Sequence, residues 1–320
     1  MANFYMVPGG AGAKNGSDWD NAFSLVEFST WFINTCAPGD NLYIYSGTYT
    51  LTRNIISARD GTLASRINFI GVSNQSLLTP AIGDDRPLFM LGSYIFIGDD
   101  FFVLSNIRTY TETGTNTSAI IRFDTATRLI NCSFINMSNL ANSESFHLGG
   151  TAGFVSDCEF ITNNGNCLLS YGGFFIDSYF KGATLDGLYL AGNGSGVQRC
   201  IFNDCAVGIN IVGNSNGIDN CTFYNCSIGI KGNNTGYHVI YNSIFSDCGD
   251  GVNFTTDPFE SINLFYNNYY NNTNDTVNCN IGINNFFINP AFSNVAMENF
   301  SLLSSSGLIG IGKTMKLYVS

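Results

Sequence analysis

Three stretches of the sequence repeat one phrase: Val197-Gln-Arg-Cys-Ile-Phe-Asn-Asp-Cys-Ala-Val-Gly-Ile209, Ile218-Asp-Asn-Cys-Thr-Phe-Tyr-Asn-Cys-Ser-Ile-Gly-Ile230 and Ile240-Tyr-Asn-Ser-Ile-Phe-Ser-Asp-Cys-Gly-Asp-Gly-Val252. Their first Cys or Ser residues are Cys200, Cys221 and Ser243, which are spaced by 21 and then 22 residues. A nearly fixed period in this range is typical of stacked supersecondary units.

Weaker copies of the phrase precede these three. They centre on Asn106, Cys132, Cys158 and Ser178, at steps of 26, 26 and 20 residues. In a solenoid the turns accept insertions while the wall strands stay in register, so a variable step is expected. The repeat therefore covers most of the chain.

Within each copy, apolar and polar residues alternate over three to five residues, which indicates short strands with one buried face. We predict an all-β fold, a single-stranded right-handed parallel β-helix whose coils rise by about 4.8 Å. Glycines 208, 229 and 251 are predicted to mark a tight corner. Equivalent residues should form interior columns, one of phenylalanines and one of Cys or Ser: Phe134, Phe160, Phe180, Phe202, Phe223 and Phe245; Cys132, Cys158, Ser178, Cys200, Cys221 and Ser243.

The composition suits such a coil, since 27 Phe, 16 Tyr and 35 Gly accompany only 12% charged residues. The ten cysteines lack the spacing of a zinc site, and we interpret them as small buried side chains rather than disulfides. We therefore predict no metal site, with Ca²⁺ as the one cofactor left open. The net charge of −11 disfavours nucleic acid and anionic membranes as partners.

The first residues lack the basic and apolar regions of a secretory signal. We therefore expect synthesis in the cytoplasm without a signal peptide, and a final location on a virion or another extracellular surface.

The N-terminal region contains Asn15-Gly-Ser-Asp-Trp19, an amphipathic run with Leu25, Phe28, Phe32 and Cys36 at helical spacing, and Pro38-Gly-Asp-Asn-Leu-Tyr-Ile44. Together these resemble the opening of right-handed β-helix proteins of the pectate-lyase-like superfamily. The resemblance implies that the helix caps the end of the coil, and that Ser65–Gly71 and Ser93–Gly98 are early wall strands.

We predict one continuous domain with three parts: residues 1–60 as the N-terminal cap and first coil, 61–270 as the β-helix coils, and 271–320 as the C-terminal coil and cap. The superfamily includes polysaccharide lyases, glycoside hydrolases, phage tailspikes and non-catalytic surface proteins. The resemblance therefore implies a fold more strongly than an activity.

Lyases of the superfamily hold Ca²⁺ with Asp-Gly-rich ligands beside a lysine, and Asp186-Gly187 and Asp250-Gly251 resemble that pattern weakly. The acid pairs Asp84-Asp85 and Asp99-Asp100 are interpreted as turns or, alternatively, as a cation site. His147 and His238 are not accompanied by a catalytic triad.

A glycosidase needs two carboxylates within about 10 Å of each other. Asp157 and Asp177 occupy equivalent positions in neighbouring coils, which makes them catalytic candidates together with two nearby residues, Glu159 and Lys181. The alternative is that these side chains belong to bends or to a solvated face. The predicted glycan-binding residues are Tyr171, Tyr189, Arg199 and Tyr237.

Three functions are compatible with this sequence. The first is a virion-surface structural protein, a tailspike, fibre or capsid spike, that binds host or environmental glycans as a homotrimer beside other virion proteins. The second is a polysaccharide lyase or glycoside hydrolase, and the third is a purely structural decoration protein. We expect the first, because a rigid coil made without a signal peptide suits virion assembly.

Overall fold

The computed structural model describes residues 2–57, 59–112, 121–137, 144–232, 236–255 and 262–312, with side chains from residue 146 onward in the fourth range. The chain winds into a parallel β-solenoid of about nine turns. Each coil contributes one strand to each of three sheets, and neighbouring coils pair in parallel. The all-β solenoid predicted from the repeated phrase is confirmed.

The three sheets are numbered in the order in which a coil visits them. Sheet 1 contains Asn3–Met6, Asn41–Tyr45, Ile67–Asn74, Phe102–Ser105, Arg128–Ile130, Gly153–Ser156, Gly173–Ile176, Gly196–Gln198, Gly217–Asp219, His238–Tyr241 and Ile262–Phe265, with Thr79–Pro80 paired to Ile67–Asn74. Sheet 2 contains Thr48–Thr50, Leu88–Met90, Arg108–Thr111, Ser133–Asn136, Glu159–Thr162, Tyr179–Lys181, Ile201–Asn203, Thr222–Tyr224, Ile244–Ser246 and Asn268–Tyr270. Sheet 3 contains Ile55–Ile56, Phe96–Ile97, Ile121–Phe123, Glu144–Leu148, Asn166–Ser170, Asp186–Leu190, Val207–Ile211, Ile228–Gly232, Asp250–Phe254 and Asn274–Val277.

The turn from sheet 1 to sheet 2 is made by one residue in the left-handed backbone region. Asn131 has φ 50°, and Asp157 and Asn220 have φ 54° and 53°. Asn and Asp adopt this conformation more readily than most residues. The strand pairing also corrects the predicted alignment of the first copy of the phrase, because Asn106 is in register with Asn131 and not with Cys132. The Asn131 Nδ2 donates to the Asn106 Oδ1 at 2.8 Å.

The predicted column of phenylalanines is confirmed as a continuous stack inside the coil. Ring centroids are 4.8 Å apart between Phe180 and Phe202 and 5.0 Å apart between Phe202 and Phe223, with interplanar angles of 7° and 6°. The stack extends to Tyr269, whose ring lies 5.2 Å from that of Phe245. Because the ring spacing nearly equals the rise per coil, about 4.8 Å, each ring packs on its equivalent without tilting.

The prediction that three glycines of the repeated phrase mark a tight corner is wrong. Gly208, Gly229 and Gly251 lie inside sheet 3 strands and not at a corner. A Cβ on Gly229 would stand 2.5 Å from the carbonyl oxygen of Gly251 and 2.7 Å from the Phe245 ring. These positions are therefore glycine because the aromatic stack occupies the space that a side chain would need.

The ten cysteine side chains are free thiols, and all but Cys279 are buried. The column predicted beside the phenylalanines is present, with Cys200 and Cys221 fully inside the coil. The Cys221 thiol donates to the carbonyl of Asp219 at 3.4 Å, and burial raises its pKa well above the ordinary value. A thiol held in its neutral form is a poor nucleophile, so Cys221 is a packing residue.

The predicted capping helix is present at Leu25–Asn34. It begins with a capping box in which Ser24 and Glu27 bond reciprocally. Its buried Phe32 ring packs edge-on against Phe69 and Phe102, with centroids 5.3 and 5.7 Å apart. The helix therefore covers the apolar end of the bore. It has ten residues, and no helix in the described ranges is long and apolar enough to span a membrane.

The other end of the chain folds back over the outside of sheet 2. Phe292–Asn294 and Asn299–Leu302 form a two-stranded antiparallel hairpin. The Phe300 ring lies 5.2 Å from that of Tyr224. This C-terminal strap covers wall strands formed much earlier in the sequence.

Replacing one ring of the stack tests how strongly it stabilises the coil. We expect Phe202→Ala to lower the free energy of unfolding by about 3 to 5 kcal/mol, because a fully buried ring is lost between two rigid neighbours. Phe287→Ala, at a ring that is 56% exposed, should cost less than about 1 kcal/mol. Equal losses in denaturant titrations of the two variants would contradict this role of the stack.

A buried histidine predicts a pH dependence of stability. His238 is fully buried, its Nδ1 accepts from the Asn216 N–H at 3.3 Å, and burial lowers its pKa from 6.5 to about 4. The unfolded chain therefore binds more protons between these values, so stability is full above pH 6.5 and falls as the pH drops towards 4.

The matched variant is His238→Asn, because Asn216 fills the equivalent position one coil earlier and its Oδ1 accepts the Ser195 N–H at 2.9 Å. We expect the wild type to lose about 3 kcal/mol more than this variant between pH 7 and pH 4. Parallel pH profiles of the two unfolding free energies would contradict the prediction.

Candidate functional site

The outer face of sheet 3 carries a column of side chains, and six of the seven named below are polar or aromatic. The described inward residues of its central strands are buried, while the seven outward residues named next are all at least partly exposed. Successive coils place the outward residues in direct register: Arg122, His147, Leu169, Tyr189, Asn210, Lys231 and Asn253.

A group of carboxylates lies where the first sheet 3 strands turn towards sheet 1. One oxygen from each of Asp60, Asp99 and Asp100 lies within 4.8 Å of the others. The Asp100 N–H donates to the Asp60 Oδ1 at 3.2 Å, and the Thr125 N–H donates to the Asp100 Oδ1 at 2.7 Å. Partial burial raises the pKa of Asp99, with a further rise from the neighbouring carboxylates.

These three carboxylates fit a hard divalent cation. Ca²⁺ prefers several carboxylate oxygens at 2.3–2.6 Å, and ligand atoms around one such ion are separated by distances of this order. Among the described residues, this is the one group of three or more acidic, His or Cys side chains whose ligand atoms all lie within 4.8 Å of one another. Bound there, a cation would place positive charge beside any acidic ligand on this edge.

Basic and aromatic groups adjoin the carboxylates in the next coils. The Arg122 Nε lies 3.1 Å from the Asp124 Oδ1, and Asp124 contributes to the raised pKa of Asp99. His147 follows Arg122 in the column, and its ring stacks on Tyr171 with centroids 5.7 Å apart. We call this set, Asp60, Asp99, Asp100, Arg122 and His147, the turn-edge site.

A second charged group lies further along sheet 3. Burial raises the pKa of Asp186, which is 8% exposed, and the nearby Lys231 opposes that rise in part. The Asn210 Nδ2 donates to the Asp186 Oδ2 at 3.1 Å. Lys231 is six coils beyond Ile97, about 29 Å along the axis, so it is too far from the turn-edge carboxylates to act on the same sugar residue.

The charged patch predicted from the sequence lies elsewhere, at the turn from sheet 1 to sheet 2. Asp157, Asp177 and Arg199 occupy that turn in successive coils. Arg199 holds Asp177 through two bonds of 2.7 Å, from Nε and Nη2. The Ser156 hydroxyl donates to the Asp157 carboxylate. The residues are neighbours as expected, but the Asp177 carboxylate is already paired with a guanidinium.

Two further candidates from that patch are also engaged. The Ser133 hydroxyl donates to Glu159 at 2.7 Å. Lys181 forms an ion pair with Glu298 of the C-terminal strap, and the Tyr179 hydroxyl donates to the same carboxylate at 2.8 Å. Their assignment as catalytic residues stays a prediction.

The predicted glycan-binding tyrosines occupy three different places. Tyr171 is 45% exposed and stacks on His147 beside the turn-edge site. Tyr189 lies in the outer column of sheet 3. Tyr237 is exposed just before a sheet 1 strand. Tyr171 is therefore the one that adjoins the carboxylate group.

A cleft of about 660 Å³ separates the C-terminal strap from the wall of the coil. Its wall side includes Asp219, whose carboxylate accepts from Gln198 at 3.0 Å and from Asn242 at 3.2 Å. Its strap side includes Leu302 and Leu308. Because the Asp219 carboxylate is saturated by amide donors, the cleft offers less for acid–base chemistry than sheet 3.

Sequence reasoning missed most of the turn-edge site. Asp99-Asp100 was recognised as a turn or cation pair, but Asp60, Arg122 and His147 were not connected with it. A usable signal was present, since each of these acids follows a short apolar strand that ends at a turn. The unequal lengths of the first coils hid their equivalence.

The solved structures most informative for this fold are polysaccharide lyases. Pectate lyase Pel9A is 13% identical, with a TM-score of 0.58 over 99% of this chain and 93% of that one. A mannuronic acid specific polysaccharide family 6 lyase from human gut microbiota is 13% identical, with a TM-score of 0.57 over 90% and 78%. An alginate lyase from Paenibacillus sp. str. FPU-7 is 12% identical, with a TM-score of 0.50 over 82% and 95%.

No protein-family model matches the sequence, and the search of curated proteins found no match. The fold is therefore established by structural likeness, and it is a pectate-lyase-like β-helix, as the resemblance of the N-terminal region predicted. At 12–13% identity this likeness describes the fold alone, and activity has to be argued from the residues.

The raised pKa of Asp99 predicts that Asp99→Asn stabilises the protein at neutral pH. A carboxyl group whose pKa is higher in the folded state is destabilising once it ionises, so the cost is absent at pH 3 and full at pH 7. We expect a higher Tm for the variant at pH 7 in a chelating buffer, with the gain shrinking towards pH 3. Asp20→Asn, at an exposed residue, should change little, and a lower Tm for Asp99→Asn at pH 7 would contradict the prediction.

Proposed function

We propose that the protein is a polysaccharide lyase acting on a uronate-containing polymer, with the turn-edge site as its active site. The observation that carries the proposal is the meeting of a carboxylate group, a guanidinium and an imidazole at one edge of the solvent-facing side of sheet 3. The likeness to a pectate lyase and to lyases specific for mannuronic acid and alginate supports the same class of reaction.

A lyase breaks the glycosidic bond by β-elimination. A base removes the proton from C5 of the uronate, the electrons form a C4–C5 double bond, and the C4–O bond breaks with protonation of the leaving oxygen. The C5 proton becomes acidic enough only when the adjacent carboxylate is neutralised. The active site must therefore combine positive charge at the carboxylate with a general base near C5.

The turn-edge site has groups for both tasks. Arg122, at the head of the column, pairs with Asp124 and is exposed enough to bind a uronate carboxylate from solvent. A cation held by Asp60, Asp99 and Asp100 would add to that neutralisation.

We assign the general base to His147, because an imidazole nitrogen can accept a proton and the Arg122 guanidinium has no acceptor atom. Tyr171, stacked on His147 and 45% exposed, offers a ring face to the substrate.

The assignment is tested with polygalacturonate and alginate as substrates, by following the ultraviolet absorbance of unsaturated products. We expect His147→Gln to lower kcat by about 100-fold or more, as for loss of a general base. Arg122→Gln should raise KM and lower kcat. The matched controls are Lys231→Gln, Asp157→Asn and Asp177→Asn, which change charged side chains away from the turn-edge site and should keep wild-type activity.

Three results would redirect the proposal. Full activity in His147→Gln would contradict the assignment of the base. Loss of activity in Lys231→Gln alone would move the active site along sheet 3. Reducing ends without unsaturated products would identify a glycoside hydrolase, the other enzyme predicted from the sequence.

A virion-surface protein that binds glycans as a trimer stays a prediction without support from the structural neighbours. Polymer binding by a trimer, with no product formed under any condition, would favour it over the lyase. The partner that the lyase proposal assigns to this protein is an acidic polysaccharide.

A further inference from the structure

An arginine and phenylalanine strip runs along the start of the sheet 1 strands, just across the turn from the turn-edge site. It consists of Arg66, Phe101, Arg128, Phe154 and Phe174. Arg128, Phe154 and Phe174 are in direct register in three successive coils, on the outward side of the sheet. Phe101 directly follows Asp100 in the sequence, so the strip and the turn-edge site share one border.

Each arginine of the strip lies over a phenylalanine ring. The guanidinium carbon of Arg66 is 5.8 Å from the centroid of Phe101, and that of Arg128 is 5.9 Å from the centroid of Phe154. Arg66 also donates to the carbonyl of Ala126, two residues before Arg128. These contacts hold the two guanidinium groups close to each other on one surface.

The two positive charges have no carboxylate partner in the described ranges of the chain. Arg108, Arg122 and Arg199 all pair with aspartates. Arg66 instead makes its one side-chain hydrogen bond to a carbonyl, and Arg128 makes none to the described residues. Burial lowers the pKa of Arg66, and the charge of Arg128 lowers it further.

Two neighbouring arginines without a carboxylate partner among the described residues are unusual in a chain that has 24 acidic and 13 basic residues. A carboxylate nearby would relieve the repulsion between the two guanidinium groups, and none of the chain's own carboxylates takes that position in the described ranges. The strip is therefore electrostatically complementary to an anionic ligand.

The strip continues as an exposed apolar platform. Phe174 is 42% exposed, and its ring lies over Gly196 in the next coil, where an added Cβ would come within 2.8 Å of the ring. Beyond it, an added Cβ on Gly217 would meet no atom within 4 Å. The aromatic face thus ends on bare backbone, which leaves space for a flat ligand beside it.

We propose that the strip is a binding subsite for carboxylated sugar residues, in which Arg66 and Arg128 pair with uronate carboxylates and Phe174 packs against a sugar ring. This proposal rests on the proposed function, because it assigns the same acidic polymer to a second surface. Arg128 and Arg66 match the geometry and charge of carboxylates, and Phe174 supplies an apolar surface that sugars contact with their C–H faces. The strip would hold the polymer while the turn-edge site acts on a neighbouring stretch.

Binding is measured separately from cleavage, by affinity electrophoresis and calorimetry with polygalacturonate, alginate and neutral dextran in the His147→Gln background. We expect the acidic polymers to bind and dextran not to bind. Arg66→Gln/Arg128→Gln should raise Kd for the acidic polymers by about tenfold or more, and added salt should narrow that difference. Phe174→Ala should raise Kd at every salt concentration, because it removes apolar contact and not charge.

The matched control is Arg108→Gln, which removes an arginine already paired with Asp84 and should leave Kd unchanged. Thermal unfolding of each variant checks that the fold is kept. Unchanged Kd in the double arginine variant, equal binding of dextran, or no binding of the acidic polymers by the parent would each overturn the subsite.

Failure of the lyase proposal gives a different result. Acidic polymers would then still bind in an Arg66- and Arg128-dependent manner, but no unsaturated product would form with the wild-type protein. Conversely, wild-type cleavage combined with arginine-independent binding would keep the lyase and reject the strip.

Discussion

The packing of equivalent side chains from coil to coil is the constraint on which the rest of the structure depends. Strand pairing and ring stacking demand nearly the same repeat distance, so a phenylalanine column satisfies both at once. The glycines opposite the column, such as Gly229, are the counterpart of this packing, since the rings leave no space for a side chain there. Inward positions are therefore restricted in every coil, whereas outward positions are free to carry charges, aromatic rings or amides.

The sequence predicted positions correctly where the packing of equivalent side chains repeats from coil to coil. It did not predict contacts between residues outside the repeat. Phe202 and Phe223 could be assigned to one column because equal spacing places them in one register. Asp60 and Asp99 could not be brought together, because the first coils differ in length and neither acid belongs to the repeated phrase. Glu298 pairs with Lys181 across 117 residues, and no local pattern encodes such a contact. The wrong prediction for Gly208, Gly229 and Gly251 has a similar origin. Glycine suggested a bend, whereas these positions are glycine because the neighbouring coil leaves no space for a side chain.

The outer surface has a clear division of charge. Some acidic side chains pair with a base, as Asp177 does with Arg199, and others accept from amides, as Asp219 does. The turn-edge carboxylates differ because they crowd one another. The two arginines just across the turn differ because no carboxylate of the described residues forms an ion pair with them. Because this fold is shared by many activities, its chemistry depends on local groups such as these, whose charges are not balanced by an opposite charge.

The strap at the C-terminal end also has a consequence for how the protein is made. Coils can stack in order as the chain leaves the ribosome, because each needs only the coil before it. The outer side of the wall around Tyr179 and Lys181, however, stays bare until Glu298 emerges more than a hundred residues later. During that interval the growing solenoid exposes both its newest open edge and this uncovered wall, and the wall is covered only when the strap has been made.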